Sequence, residues 1–251
     1  MKIIGVTASK GGVGKTTTVA SLGCILGEMG KRVLLIDMDA QCNLSTIYGF
    51  KQSDALKDIF QSHQNNPRDY IQKTSAENVN LIPGSYSMIA VNKAMSKIQS
   101  PEYIMKERFK SIDGYDVILI DSPPNLDYLP ENILTYATHA LIPLEPSRNS
   151  LDGVMATKQL MDEVITNSND KLKLAGVFFT RANTRTVLYQ KLHSHLVKVF
   201  GDFVFNTYIR TNVSLSECEA VGKPISLYAP SSNGYEDYRS LTLELTERLN
   251  I

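Results

Sequence analysis

Two lysines, three glycines and two threonines crowd into one stretch, Ser9-Lys10-Gly11-Gly12-Val13-Gly14-Lys15-Thr16-Thr17. Residues of these types at this spacing can hold phosphate. Glycines let the backbone approach an anion and turn successive N–H groups toward it. A helix starting directly behind them adds unsatisfied donors and the positive end of its dipole. Lys15 can reach β- and γ-phosphates, and the Thr16 hydroxyl can ligate Mg²⁺. Acids follow in two further places, at Asp37-Met38-Asp39 and at Asp121. Each comes after a run of apolar residues. An acid at the end of a hydrophobic strand can hold Mg²⁺ directly or through water. Asp121 has a second reading as a cap for the helix behind it.

These groups need a strand ahead of the glycines and a helix after them, and the chain supplies both. Ile3 to Val6 reads as a first strand, and a helical pattern runs from Val13 to about Met29. Gly30 stops it. Val33-Leu34-Leu35-Ile36 and Tyr115 to Asp121 are continuous apolar runs, as strands buried on both faces of a parallel sheet require. Their acids fall at the carboxyl ends of strands, where open α/β sheets bind ligands. Asp37 lies beside the phosphate loop if the first two strands are neighbours. Further strands are predicted at 79–82, 139–143, 174–180 and 203–205. Helices are predicted at 53–60, 85–98, 102–112, 128–136, 151–164, from 187 through Phe200, 214–221 and 233–249. The alternation predicts an α/β fold: one doubly wound, mainly parallel sheet with helices on both faces, a single domain over 1–251.

Composition narrows the function. A formal net charge of +0 gives no global positive field for nucleic acid, so such binding must come from a local patch. Cys24, Cys42 and Cys218 match no zinc spacing, and their odd number argues against a disulfide framework. No run reaches the length of a membrane-spanning helix, and the apolar run from Ile3 is too short for a signal peptide. A reduced, cytoplasmic protein is expected.

Lys-Gly-Gly-x-Gly-Lys-Thr at Lys10 to Thr16 is the variant called the deviant Walker A motif, with Ser9 where the plain pattern wants glycine. With Gly30 to Asp39, Tyr115 to Pro124, Leu141 to Pro143, Phe200-Gly201, Asn212 to Glu217, Gly222 to Ile225 and Gly234 to Tyr238, it resembles the ParA family of ATPases. The likeness runs over nearly the whole chain. It is strongest to short members lacking an N-terminal DNA-binding extension. The resemblance implies a P-loop fold that takes ATP and Mg²⁺ on Lys10, Gly11, Gly12, Val13, Gly14, Lys15, Thr16 and Thr17. Thr16, Asp39 and Asp121 would serve the metal site. Lys15 would act in cis and Lys10 in trans, across an ATP-dependent homodimer, much as an arginine finger does. Asp39 would orient the attacking water. Asp37 either supports the metal or is a buried acid paired locally. Asn183, Ile209 and Pro230 are candidates for holding the base. Family behaviour implies non-specific DNA binding by the ATP dimer, nucleoid association in that state, and release when a ParB-type partner stimulates hydrolysis. Phosphate contacts would make the binding salt-dependent.

Two departures bear on this. Ala40 stands where relatives usually have proline, and Thr211 and Ser214 stand where they often have arginines. Arg181, Arg185, Lys191, Lys198, Arg210 and Lys223 are candidate substitutes for DNA contact; His193 and His195 point to opposite sides if helical, which speaks against a metal pair. A membrane-cycling ATPase like MinD is a first rival. It needs a basic amphipathic end, whereas Glu244 and Glu247 offset Arg248 here, so no stable membrane association is expected. A P-loop metabolic enzyme such as dethiobiotin synthetase is a second rival. A nitrogenase-iron-protein-like role lacks its two cluster cysteines.

Overall fold

The computed structural model describes residues 1–125 and 127–251. Seven strands form one sheet: β1 (Lys2–Val6), β2 (Val33–Asp37), β3 (Gln72–Lys73), β4 (Val79–Ile82), β5 (Val117–Asp121), β6 (His139–Leu144) and β7 (Lys173–Phe179). Their order is β3-β4-β2-β5-β1-β6-β7, all parallel except the two-residue edge strand β3. The helices are α1 (Lys15–Glu28), α2 (Asn43–Ile47), α3 (Ala55–Gln61), α4 (Met88–Met95), α5 (Ile104–Phe109), α6 (Tyr128–Tyr136), α7 (Ser150–Asn167), α8 (Val187–Phe200), α9 (Val213–Val221), α10 (Ile225–Tyr228) and α11 (Asn233–Leu249).

Alternate residues of each strand enter opposite cores. Ile4, Val6, Val33, Leu35, Val117 and Leu119 pack toward α1, α2, α9, α10 and α11. Ile3, Leu34, Ile36, Ile118 and Ile120 pack toward α3 to α7. A third cluster seats α8 and Val154 of α7 on Ile142, Leu144, Val177 and Phe179. The doubly wound, mainly parallel sheet with helices on both faces is thus present. Purely apolar strands are what such a two-sided burial requires.

β1 and β2 are not neighbours: β5 lies between them, with Ile4 against Leu119 and Leu35 against Leu119. Asp121 therefore stands between the loop after β1 and Asp37 at the end of β2. The segment expected as a strand over 203–205 is a turn, Gly201–Phe203, with a single bridge from Val204 to Val177. Arg248 of α11 donates to the carbonyls of Asp202 and Val204, taking acceptors a ladder would have used.

Candidate nucleotide site

The loop after β1 turns through two left-handed glycines, Gly12 at φ +76° and Gly14 at φ +89°, a conformation that favours residues without Cβ. α1 begins on Gly14 with no side-chain cap. The backbone N–H groups of Gly14, Lys15, Thr16 and Thr17 have no acceptor among the described residues. Unspent donors at the start of a helix form an anion site.

Three anchors from distant elements fix the loop. The Ser9 N–H donates to Thr157 Oγ1 (3.1 Å) and its hydroxyl to the Gly153 carbonyl (2.9 Å), both on α7. Gly153 allows this approach, since a Cβ there would lie 3.3 Å from Ser9 Oγ. The Thr180 hydroxyl donates to the Val13 carbonyl (2.8 Å), and the Arg181 guanidinium to the Gly12 carbonyl (3.0 Å) and to Glu145 (3.2 Å). Nothing in the sequence pattern signals the Thr180 and Arg181 contacts, whose partners are 167 and 169 positions away. Ser9 stands out in the sequence as a departure from the plain motif, and its role is to tie the loop to α7.

Lys15 is buried and curls back, donating to the carbonyls of Ala8 (3.3 Å) and Lys10 (3.2 Å). Burial pushes its ammonium below the ordinary lysine range, against the pull of Asp121 and Asp39. The Lys10 side chain leaves the loop the other way and donates to Ser147 Oγ (2.9 Å) near the start of α7. Thr16 Oγ1 donates to Asp121 Oδ2 (2.7 Å).

Asp121 and Asp37 are fully buried and directly opposite each other across the β5–β2 ladder. Burial raises the Asp121 carboxyl well above the usual range, Asp37 adds to the rise, and the Thr16 hydroxyl opposes it. Burial likewise pushes Asp37 up to about 7, although the Ser45 hydroxyl (2.6 Å) and N–H (2.8 Å) both donate to its Oδ2. Ser45 Oγ accepts in turn from the Gly84 N–H at 2.8 Å. One oxygen of Asp37 is thus paired locally. The other oxygen of each acid, Asp37 Oδ1 and Asp121 Oδ1, is buried and without a partner. Two orphaned carboxylate oxygens beside a threonine hydroxyl are the hard oxygen donors that Mg²⁺ takes, so these residues fit the metal. Asp39 is half-buried, and its Oδ1 accepts from the Gln41 N–H (2.9 Å) in a tight turn that Ala40 enters without strain.

Lys15, Thr16, Thr17 and Asp39 border a cavity of about 420 Å³ lined also by Gly11, Gly12, Gly14, Tyr238 and the stretch from Ile209 to Asn212, whereas Lys10, Val13, Asp37 and Asp121 lie outside its lining. Of the base candidates, Ile209 lines it. Asn183 and Pro230 do not: Asn183 Oδ1 accepts from the Arg185 N–H in the turn before α8, and Pro230 is exposed between α10 and α11. Among the candidate DNA contacts, Arg210 is clamped by Asp237 (2.6 Å) and Arg181 is held at Glu145, while Arg185, Lys191, Lys198 and Lys223 are exposed. Cys24, Cys42 and Cys218 are buried and outside any disulfide. No helix among the described residues is long and apolar enough to cross a membrane.

A family model described as an AAA domain matches residues 1–174. The chain is 35% identical over 247 residues to the sporulation initiation inhibitor protein Soj of Bacillus subtilis, covering 97% of this chain and 98% of Soj. It is 36% identical over 242 residues to the chromosome-partitioning ATPase Soj of Treponema pallidum, covering 95% and 94%. Among solved structures, cobyrinic acid a,c-diamide synthase from Mycobacterium smegmatis, with bound ATP analogue and magnesium, superposes at a TM-score of 0.85. It is 26% identical, with 100% of this chain and 96% of that chain covered. Both Soj matches take in nearly the whole of each chain: this protein belongs to the Soj/ParA family.

Proposed function

We propose that this protein is an Mg²⁺-dependent ATPase that positions cargo, working through an ATP-dependent homodimer. The observation that carries the reading is the opposed placement of the two loop lysines. Lys15 is buried inside the loop, while Lys10 is turned outward, away from the cavity, toward Ser147. One subunit thus offers its own phosphate site a single loop lysine and presents the other at its surface. That arrangement suits a lysine that serves a neighbour's phosphates.

In this reading the amides of Gly14 to Thr17 and the Lys15 ammonium bind the phosphates in cis. Lys10 of a second copy stabilises the charge that develops during transfer. Thr16 and Asp121 would hold Mg²⁺, with Asp37 behind them. The ion would supply neutralisation of phosphate charge. Asp39 orients the attacking water, held in place by the Gln41 N–H. A ParB-type protein accelerates turnover, and duplex DNA is the carrier to which the dimer binds without sequence preference.

Arg210 favours a second reading in one respect. Its guanidinium is neutralised by Asp237 and lies near Glu236, and Thr211 and Ser214 add no charge. The same ATP cycle on a carrier other than DNA, such as a membrane or a protein compartment, agrees with that. The fold is shared with a protein named as a biosynthetic synthase, so fold does not separate positioning from metabolism; full-length identity to Soj and the outward Lys10 favour positioning.

The test is binding to random-sequence duplex DNA with ATP, ADP or no nucleotide across a salt series, alongside sedimentation in each state. ATP-dependent dimerisation with salt-sensitive DNA binding supports the first reading. Dimerisation without DNA binding supports the second. A monomer in every state, with turnover that requires a small metabolite, overturns both.

A further inference from the structure

The opposite edge of the sheet carries a second cavity. It spans the starts of β1, β6 and β7 and measures about 640 Å³, within the range of small-molecule sites. Its apolar lining comes from Met161 and Ile165 of α7, Leu174 of β7, Phe203 of the turn after α8, and Leu249 at the end of α11. Phe203 is 50% exposed at the mouth of this cleft.

Charge at this cleft is one-sided. Lys2 opens β1, His139 opens β6 and Lys173 opens β7, with Ile4, His139 and Lys173 side by side in the ladder. Neither lysine has a carboxylate within ion-pair distance among the described residues. Arg248 also borders the cleft but is already held by Glu244 and two carbonyls. Asp202 is the one carboxylate residue in the lining.

His139 adds a switchable donor. Its Nδ1 lies 2.9 Å from Thr138 Oγ1. That hydroxyl gives its own proton to the Ile3 carbonyl and accepts from the Ile3 N–H. Nδ1 is thus engaged by this hydroxyl in either tautomer, and Nε2 is the remaining polar atom of the ring. Burial, Lys2 and Lys173 together hold the imidazolium below the usual histidine range. An anion in the cleft would reverse the electrostatic part of that effect.

We propose that this cleft binds a small amphipathic monoanion in free solution: a carboxylate whose head pairs with Lys2 and Lys173 and whose alkyl tail lies along Met161, Ile165, Leu174 and Phe203. Binding draws a proton onto the His139 imidazole, so affinity rises as pH falls through the His139 titration. This site lies apart from the nucleotide cavity and does not depend on the ATPase reading.

The probe is sodium decanoate below its micelle concentration, titrated into the 251-residue protein and followed by calorimetry and by the His139 imidazole signals in NMR. Decanol tests the head and acetate tests the tail. Saturable decanoate binding is expected, with both controls at least tenfold weaker and the His139 pKa raised in the complex. The Lys2→Gln/Lys173→Gln pair should weaken decanoate at least tenfold while ATP binding and Tm stay unchanged. His139→Gln should keep binding and lose its pH dependence. The proposal is overturned by no decanoate binding at millimolar concentration, by decanol binding as tightly as decanoate, or by unchanged affinity in the double variant. Displacement of decanoate by ATP, or sedimentation with phosphatidylglycerol vesicles in place of decanoate binding, would overturn it equally.

Discussion

Lys15 and Lys10 sit five residues apart and do opposite things. Lys15 is enclosed by loop carbonyls, so Lys15→Ala removes both the proposed phosphate ligand and an internal brace. The variant should lose measurable ATP binding in a fluorescent-nucleotide titration. Lys10 donates only to the Ser147 hydroxyl, at an exposed position. Lys10→Ala should leave nucleotide affinity of the monomer within about twofold, abolish the ATP dimer in sedimentation, and lower partner-stimulated turnover by about 10²–10³-fold, the usual effect of losing one charge-stabilising group. Asp39→Ala should have the reverse signature: a dimer that forms with ATP and persists, because water positioning is lost and phosphate binding is not. Normal turnover in that variant would contradict the assigned role. The buried Asp37 makes a pH prediction. Its folded-state value of about 7 lies above the unfolded carboxylate value, so the folded state holds more protons between roughly pH 4 and 7. Its contribution to stability is therefore full below the unfolded value and is lost as pH rises through 7. Thermal melts of metal-free protein should fall from about pH 5.5 to about 7.5, and Asp37→Asn should flatten that slope.

At the scale of elements, close backbone approaches decide where the site stands. α1 comes so near the turn before β4 that a Cβ on Gly27 would lie 2.1 Å from the Glu77 carbonyl oxygen. Gly27→Ala should destabilise the protein by about 1–3 kcal/mol through overpacking, lowering Tm by about 2–4 °C per kcal/mol and loosening the helix that carries Lys15 and Thr16. Such approaches explain what the sequence can and cannot foretell. β1, β2, β5 and β6 are legible because strands buried on both faces leave apolar runs, and β4 is legible from its short apolar stretch closed by Pro83-Gly84. α6 and α11 are legible from residues 128–136 and 233–249 because amphipathic periodicity marks them. The placement of β5 between β1 and β2 is not legible, since strand order is a long-range choice that local pattern does not encode. α2 is five residues long, too short for a periodic signature. The motif residues Lys10 to Thr17, Asp39 and Asp121 can be picked out because phosphate and metal chemistry restrict residue type. Thr180, whose hydroxyl braces the Val13 carbonyl, is chemically ordinary, and no spacing reveals a partner 167 residues away.

The whole molecule carries no net charge, so any association with a polyanion depends on how charges are distributed. Arg210 is spent on Asp237 and stabilises the start of α11 instead. Arg210→Ala should therefore lower Tm yet change DNA affinity by less than about twofold in the ATP state. Removing two exposed cations such as Arg185 and Lys198 should instead weaken binding and reduce the salt slope by about 0.9 for each phosphate left without a cation. Size follows the same logic: if Lys10 completes a neighbour's site, ATP doubles the sedimenting mass and the Lys10 variant stays single.

Ser9 has a consequence that reaches beyond the loop it anchors. Its hydroxyl and N–H hold the beginning of α7, an 18-residue helix about 27 Å long at 1.5 Å per residue. The other half of the same helix supplies Met161 and Ile165 to the cleft at the far edge of the sheet. One helix thus serves two places at once: its first half steadies the phosphate loop through Ser9, and its second half walls the cleft beneath β1, β6 and β7.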